Sequence, residues 1–243
     1  MKEKISCVCI THQRVNYLKD SISYFKAQTY ENKDLNIFYM AEDEETNDFV
    51  NSDNSFNKIE LIDVQKNDDN ILKCKSDVTH KGESNIYFYR IQSKEPITLG
   101  DKRNLATQSV QGEYICIWDD DDIYSKDRLF NQKNFIEFSK KPACALASLI
   151  IYDKSTGKRY LANPRNDGWE GTLMCLKSEM GIYSSLNKQE DTPVLHHLLA
   201  QNKLSIMDDP ELYTYCLHGQ NTSSGSHFNT VLNYAELLIL KNN

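Results

Sequence analysis

The sequence predicts an α/β sandwich built on a mainly parallel central sheet. Three observations carry this. Apolar runs of strand length recur through the first half, Ile5 to Ile10 and Tyr114 to Trp118 among them. Stretches with helical periodicity alternate with those runs. No internal repeat or low-complexity linker interrupts the chain. Two intimately packed lobes, 1–125 and 126–243, are therefore expected rather than separate domains.

Each element follows from its residues. Ile5 to Ile10 is apolar throughout, as a strand buried on both faces must be. Thr11-His12-Gln13-Arg14 forms the loop after it. Val15 to Gln28 is helical, with Leu18, Ile22 and Phe25 near one face. Leu35 to Ala41 is a second strand and runs into Glu42-Asp43-Glu44-Glu45. Ile59 to Val64 and Ile86 to Ile91 are further strands. Gln65 to Asn85 is polar, shows no period and receives no assignment. Gly100 to about Val110 is a helix, with Gly112 placed as its C-terminal stop. Tyr114 to Trp118 is a strand, and Asp127 to Ser139 a helix.

The second half reads differently. Ala143 to Tyr152 and Lys158 to Leu161 flank Asp153-Lys154-Ser155-Thr156-Gly157, a hairpin signal. Gly168 to Thr172 is a loop leading into Leu173 to Leu176. Asp191 to Asn202 is a compact amphipathic helix, with Val194, Leu195, Leu198 and Leu199 on one side. Leu204 to Met207 and Leu212 to Leu217 are short strands. Phe228 to Leu240 is an apolar helix of 13 residues, too short to span a bilayer. Core packing is its default role, with a dimer contact or docking to a membrane surface as alternatives.

Composition narrows the function. The chain has 243 residues and 40% hydrophobic content, enough for a real core. A formal charge of −7 leaves no basic excess to neutralise phosphates, which excludes a generic nucleic-acid partner. Seven cysteines show no CxxC pair, and Cys7 and Cys9 look like small buried hydrophobes. Met1-Lys2-Glu3-Lys4 leads straight into a strand, without a secretory leader. A reducing, cytoplasmic setting is expected.

The most telling stretch is Asp119-Asp120-Asp121-Asp122, which follows the strand Tyr114 to Trp118 directly. Adjacent like charges repel unless something cationic sits among them. Hard oxygen donors suit Mg²⁺ or Mn²⁺, which bridge carboxylates to substrate phosphates. In open α/β sheets ligands bind at strand ends. A solvated turn capping the next helix is the plainer reading. Rooting four acids on a buried strand argues against it. A calcium loop opening at Asp119 would need Gly and Glu where Tyr124 and Phe130 stand. No GxxxxGK, GxGxxG or GxSxG motif occurs, nor zinc-type Cys/His spacing.

Four motifs together resemble one family. They are Thr11-x-x-Arg14 after a strand; Arg103-Asn104-Leu105-Ala106 followed by Gly112-Glu113-Tyr114-Ile115; the DxD within Asp119–Asp122; and Glu190-Asp191 before a helix. Glu170-Gly171-Thr172-Leu173 adds a fifth, looser match. Their order and spacing, over residues 5 to 222, is similar to that of family-2 glycosyltransferases. The chain departs from the family pattern at His12-Gln13 and at Glu42-Asp43.

The resemblance implies a GT-A (Rossmann-like) α/β/α sandwich, with a donor-binding lobe and a smaller acceptor-side lobe. It implies inverting transfer from a nucleotide-diphosphate sugar, a UDP-sugar, to a hydroxyl of a glycan or lipid-linked glycan. The setting would be bacterial surface polysaccharide or lipopolysaccharide synthesis, on the cytoplasmic side of the membrane or peripheral to it. Mn²⁺ or Mg²⁺ would be held by Asp119 and Asp121, with His218 reaching the metal or diphosphate; Asp120 is the alternative register. Asp122 would orient the donor sugar. Thr11, Arg14, Glu42, Asp43, Arg103, Asp119 and Asp120 would bind the donor. Trp169, Glu170, Gly171 and Glu190 would face the acceptor, Glu190 alternatively supporting the site.

Asp191 would be the base that removes the acceptor's hydroxyl proton. Before Thr192-Pro193 it is equally a good helix N-cap. Arg103 alone would pass for a surface helix charge, Trp169 for a core residue and His218 for a partly buried structural one. His196 and His197 are expected to pack or face solvent. Two other function classes remain: a sugar-phosphate nucleotidyltransferase, which releases pyrophosphate, and a non-catalytic nucleotide-sugar or glycan binding module.

Overall fold

The computed structural model describes residues 2–66, 72–219, 221 and 231–238. Among them a nine-stranded sheet is flanked by helices on both faces, and a five-stranded sheet packs at one end. Strand β1 (Ile5–Ile10) lies near the centre of the large sheet, between β2 (Lys33–Met40) and β6 (Tyr114–Ile117), parallel to both. Beyond β2 come β5 (Ile86–Ile91), β3 (Asn57–Lys66) and, at the edge, β4 (Leu72–His80). On the other side β6 is followed by β11 (Met174–Leu176), β8 (Ala143–Leu146) and β12 (Leu204–Met207). Only β11 and β4 run against the rest. Strands from the second half thus extend the sheet founded by the first.

Alternation along β1 builds the two layers. Cys7 and Cys9 face one core with Leu18, Ile22 and Phe25 of α1 (Val15–Lys26). Val8 faces the other, with Leu105 and Ala106 of α3 (Leu99–Ser109). The apolar positions of α1 recur every three or four residues, so one stripe meets the sheet. Leu18 is fully buried there, and truncation to Ala would cost about 2–5 kcal/mol.

Several expectations need correction. The unassigned polar segment holds β4, which pairs antiparallel with β3. As an edge strand exposed along most of its length, β4 carries no buried face to give it a period. The acidic run after β2 starts a helix, α2 (Glu44–Ser52), because Asp43 accepts from Thr46 N at 3.0 Å and acids fill the first turn. Gly112 does not end α3 in a left-handed turn. The helix stops at an extended Val110. At Gly112 a Cβ would stand 2.6 Å from Ser6 N, so close approach to β1 is what requires glycine.

The expected strand Ala143 to Tyr152 is two strands in different sheets. After β8 the chain turns at Ala147, whose N–H still reaches Met207 O at 2.7 Å, and β9 (Ile150–Asp153) enters the small sheet. That sheet runs β14 (Glu236–Leu238), β10 (Lys158–Leu161), β9, β13 (Tyr213–Leu217), β7 (Ile123–Tyr124). The hairpin of β9 and β10 forms as expected, with Gly157 in the left-handed region at φ 70°. The helix expected over Phe228 to Leu240 is not continuous: residues 231–234 are helical, Ala235 is a bend, Glu236–Leu238 form β14 against β10, and 228–230 and 239–240 lie outside the described residues. No helix among the described residues is long and apolar enough to cross a membrane.

Candidate active site

Parallel pairing of β1 and β6 brings two loops side by side at the sheet's carboxyl rim. The Thr11–Arg14 loop leaves β1, and the four aspartates leave β6. Trp118 N–H still donates to Val8 O at 3.0 Å, which fixes where the acids emerge. Below them Arg128, in the first turn of α4 (Arg128–Ser139), is fully buried. Its guanidinium lies 4.8 Å from the Tyr124 ring and 5.0 Å from that of Tyr213, and donates to Ile117 O at 3.0 Å. It is a fixed cation beneath the acidic rim. Nothing in the sequence distinguishes it from a helix surface charge.

Each aspartate is held differently. Asp119 Oδ1 accepts from Arg103 Nη2 at 3.2 Å. Asp120 accepts from Thr11 Oγ1 at 2.6 Å and lies 3.4 Å from Arg14 Nη1. Asp121 Oδ2 receives Arg14 Nη1 at 2.8 Å and stands 2.8 Å from His218 Nε2. Asp122 is fully engaged inward, accepting from the Tyr213 hydroxyl and from Cys216 N at 2.8 Å. It anchors β13 under the rim and still lines the cleft. Burial, then the neighbouring Asp121, pushes the Asp120 carboxyl up to about 7. Burial likewise holds Asp119 above the usual range against the pull of Arg103.

Across the rim, the segment before α5 (Thr192–Ala200) is fastened to the start of α3. Asn104 clamps Tyr183 from both sides, donating to its O at 2.9 Å and accepting from its N at 2.8 Å. Gly100 N–H donates to Leu186 O at 2.9 Å, and a Cβ at Gly100 would sit 1.8 Å from Ser184 O. The loop ends with Gln189 in the left-handed region at φ 59°, a strain of order 1–3 kcal/mol. Glu190 turns inward, 3.1 Å from Arg103 Nε, an ion pair in distance without hydrogen-bond alignment. Burial raises its pKa, opposed by Arg103. Arg103 thereby ties the acidic rim to the loop, and its near-complete burial makes it a bridge and not a surface charge. Asp191 occupies the N-cap position of α5, yet its side chain makes no capping bond.

The rim and the loop enclose one cleft of about 540 Å³. Arg14, Arg103, all four aspartates, Glu190 and Asp191 line it, as do Trp169, Glu170 and Gly171 on the far wall. A Cβ at Gly171 would come within 3.2 Å of Asp119 Oδ2. Trp169 donates to Ala147 O at 3.0 Å and carries Arg165 4.9 Å over its ring. Arg165, which sequence reasoning passed over, pairs with Asp167 at 3.0 Å and with Glu170 at 3.1 Å. Thr11 and His218 stand behind Asp120 and Asp121. His218 stacks on Tyr17 at 4.8 Å. Glu42 and Asp43 do not line the cleft. Glu42 is exposed, and Asp43 is occupied capping α2 and holding Gln13 N at 2.7 Å.

Among the described residues no three His, Cys, Asp or Glu side chains are grouped as a metal cage. The donors on Asp121 and His218 nevertheless converge within 2.8 Å. A carboxylate and an imidazole suit Mn²⁺, and Mg²⁺ or Mn²⁺ commonly completes its shell with water and substrate phosphate.

No protein-family model and no curated protein matches the chain in sequence. Solved structures do match in fold. Residues 1–349 of S. aureus TarS in complex with UDP-GlcNAc superpose with a TM-score of 0.65 at 15% identity, over 91% of this chain and 61% of that one. TarS 1–349 in complex with UDP gives 0.61 at 15%, over 95% and 64%. The mannosyltransferase PcManGT from Pyrobaculum calidifontis, in complex with GDP-Man and Mn²⁺, gives 0.58 at 10%, over 91% and 59%. The chain spans about three-fifths of the length of these structures. The fold is the GT-A fold of these glycosyltransferases.

Proposed function

We propose that the protein is an inverting glycosyltransferase. It would take a sugar from a nucleotide-diphosphate donor, a UDP-sugar, and place it on a hydroxyl of a glycan or lipid-linked glycan in bacterial surface polysaccharide synthesis. One observation carries the reading: an aspartate with no capping duty, Asp191, shares a single cleft with a rim of held aspartates. A general base must be ionised, reachable and across from the leaving group. Asp191 would take the acceptor's hydroxyl proton as that oxygen bonds to the anomeric carbon. The anomeric carbon's bond to the diphosphate then breaks on the opposite side, and the electron pair leaves with the nucleoside diphosphate.

Arg103 would keep the two walls in register, and Trp169 would offer a flat apolar face to a sugar ring. A Mn²⁺ or Mg²⁺ ion held by Asp121 with His218 and Asp119 would supply positive charge against the departing diphosphate. The GT-A neighbours support this reading: TarS is seen with UDP-GlcNAc and UDP, and PcManGT with GDP-Man and Mn²⁺.

The test is a panel of sugar nucleotides with Mn²⁺, with products resolved by chromatography. Release of a nucleoside diphosphate from one donor is expected. Release of pyrophosphate would assign a nucleotidyltransferase instead, and tight UDP binding without turnover on any donor would assign a binding module.

A further inference from the structure

We propose that Arg14 is the resident counter-ion of the acidic rim, and that it hands this place to the divalent cation when the donor binds, carrying its own charge onto the diphosphate. The inference rests on the metal-dependent reading above and adds an order of events to it.

The geometry sets up a competition. Arg14 Nη1 sits between two carboxylates, 2.8 Å from Asp121 Oδ2 and 3.4 Å from Asp120 Oδ1. That same Asp121 Oδ2 is 2.8 Å from His218 Nε2. The oxygen and nitrogen that suit a divalent ion therefore meet at the oxygen the guanidinium already holds. A divalent ion needs direct contact with such an oxygen, at about 2.0–2.2 Å for Mg²⁺. An arginine cannot relieve the crowding by losing its proton. Two cations on one carboxylate oxygen repel, and the repulsion is large where the surroundings are dry. They can share the rim only if an anion comes between them. The donor's diphosphate is such an anion, and the planar fork of a guanidinium matches phosphate oxygens.

Of the arginines around the rim, Arg14 is the one that holds the oxygen the cation would need. Arg128 is fully buried beneath it. Arg103 is pinned by Asp119 and Glu190 at 3.2 and 3.1 Å. Arg14 lies in the loop between β1 and α1 with 24% of its side chain exposed, and it lines the cleft into which it would turn. Asp120 is not orphaned by that turn, because Thr11 Oγ1 still donates to it at 2.6 Å. The consequence is positive coupling: the nucleotide-free protein binds the cation weakly, and nucleotide and cation each tighten the other.

The experiment is Mn²⁺ binding by electron paramagnetic resonance, with and without UDP, for the wild type, Arg14→Ala and Arg14→Lys. One charge-assisted contact is worth roughly a factor of ten in affinity or more. Without UDP, Arg14→Ala should bind Mn²⁺ about tenfold tighter than the wild type. The enhancement that UDP brings should shrink by about the same factor. Arg14→Lys keeps a cation in place and should stay near the wild type, which separates charge from any loss of fold. Equal Mn²⁺ affinity of wild type and Arg14→Ala without UDP would overturn the counter-ion role and leave the metal reading standing. Absence of Mn²⁺ binding in every variant, even with UDP, would overturn both.

Discussion

The two walls of the cleft are both acidic, yet they are held in opposite ways. On the rim every aspartate already has a partner: Arg103, Thr11, Arg14, His218, Tyr213 or the backbone of Cys216. On the facing loop the backbone is clamped while Asp191 makes no capping bond. The difference fits the role proposed for each wall. Carboxylates that hold a cationic partner need fixed positions before it arrives. A base needs a fixed main chain and an unengaged side chain, because its partner is the substrate's proton.

The sharpest break in this comparison is at Asp122, the rim acid that belongs to the fold. Asp122→Ala would leave the Tyr213 hydroxyl and the Cys216 N–H without their buried acceptor. It should cost about 2–5 kcal/mol of stability, read as a lower urea midpoint. If activity fell with stability unchanged, Asp122 would belong with the reacting groups instead.

Next is the clamp on the loop. Asn104→Ala removes both contacts to Tyr183 and should lower stability by about 1–3 kcal/mol. Because it loosens the segment carrying Asp191, kcat should fall while UDP affinity holds. Gly100→Ala should do the same through the clash at Ser184 O, 1.8 Å from the new Cβ. Equal loss of UDP affinity in either variant would show that the loop serves the donor side as well.

The smallest effect concerns Glu190. Burial lifts its pKa above the ordinary 4.5, so the folded state keeps this proton longer than the unfolded chain does. Stability should then decline as pH rises through 4.5 and toward the raised folded value. Glu190→Gln should flatten that part of a pH series of urea midpoints. An unchanged slope would mean that Arg103 fully compensates the burial.

Much of this was legible in the residues. The strand Ile5 to Ile10 is apolar because both its faces are covered, and the four aspartates stand out because charge rarely roots on a buried strand. Asp191 was visible as a cap before Thr192-Pro193. Its lack of a capping bond was not, since that depends on where the loop from Tyr183 is tied. Arg14 was marked by the Thr11-x-x-Arg14 motif, whereas Arg128 carries no such signal and only packing makes it a buried support. Edge strand β4 escaped because a strand without a covered face has no period to show. The split of Ala143 to Tyr152 escaped because both halves are apolar and only the sheet they join differs.

The central claim is that Asp191 acts on the acceptor while the rim acts on the donor. Single-turnover kinetics of Asp191→Asn, with UDP affinity measured alongside, test it most directly. The account predicts a loss of about 10²–10⁴-fold in the chemical step with UDP affinity unchanged. Turnover equal to that of the wild type would contradict it.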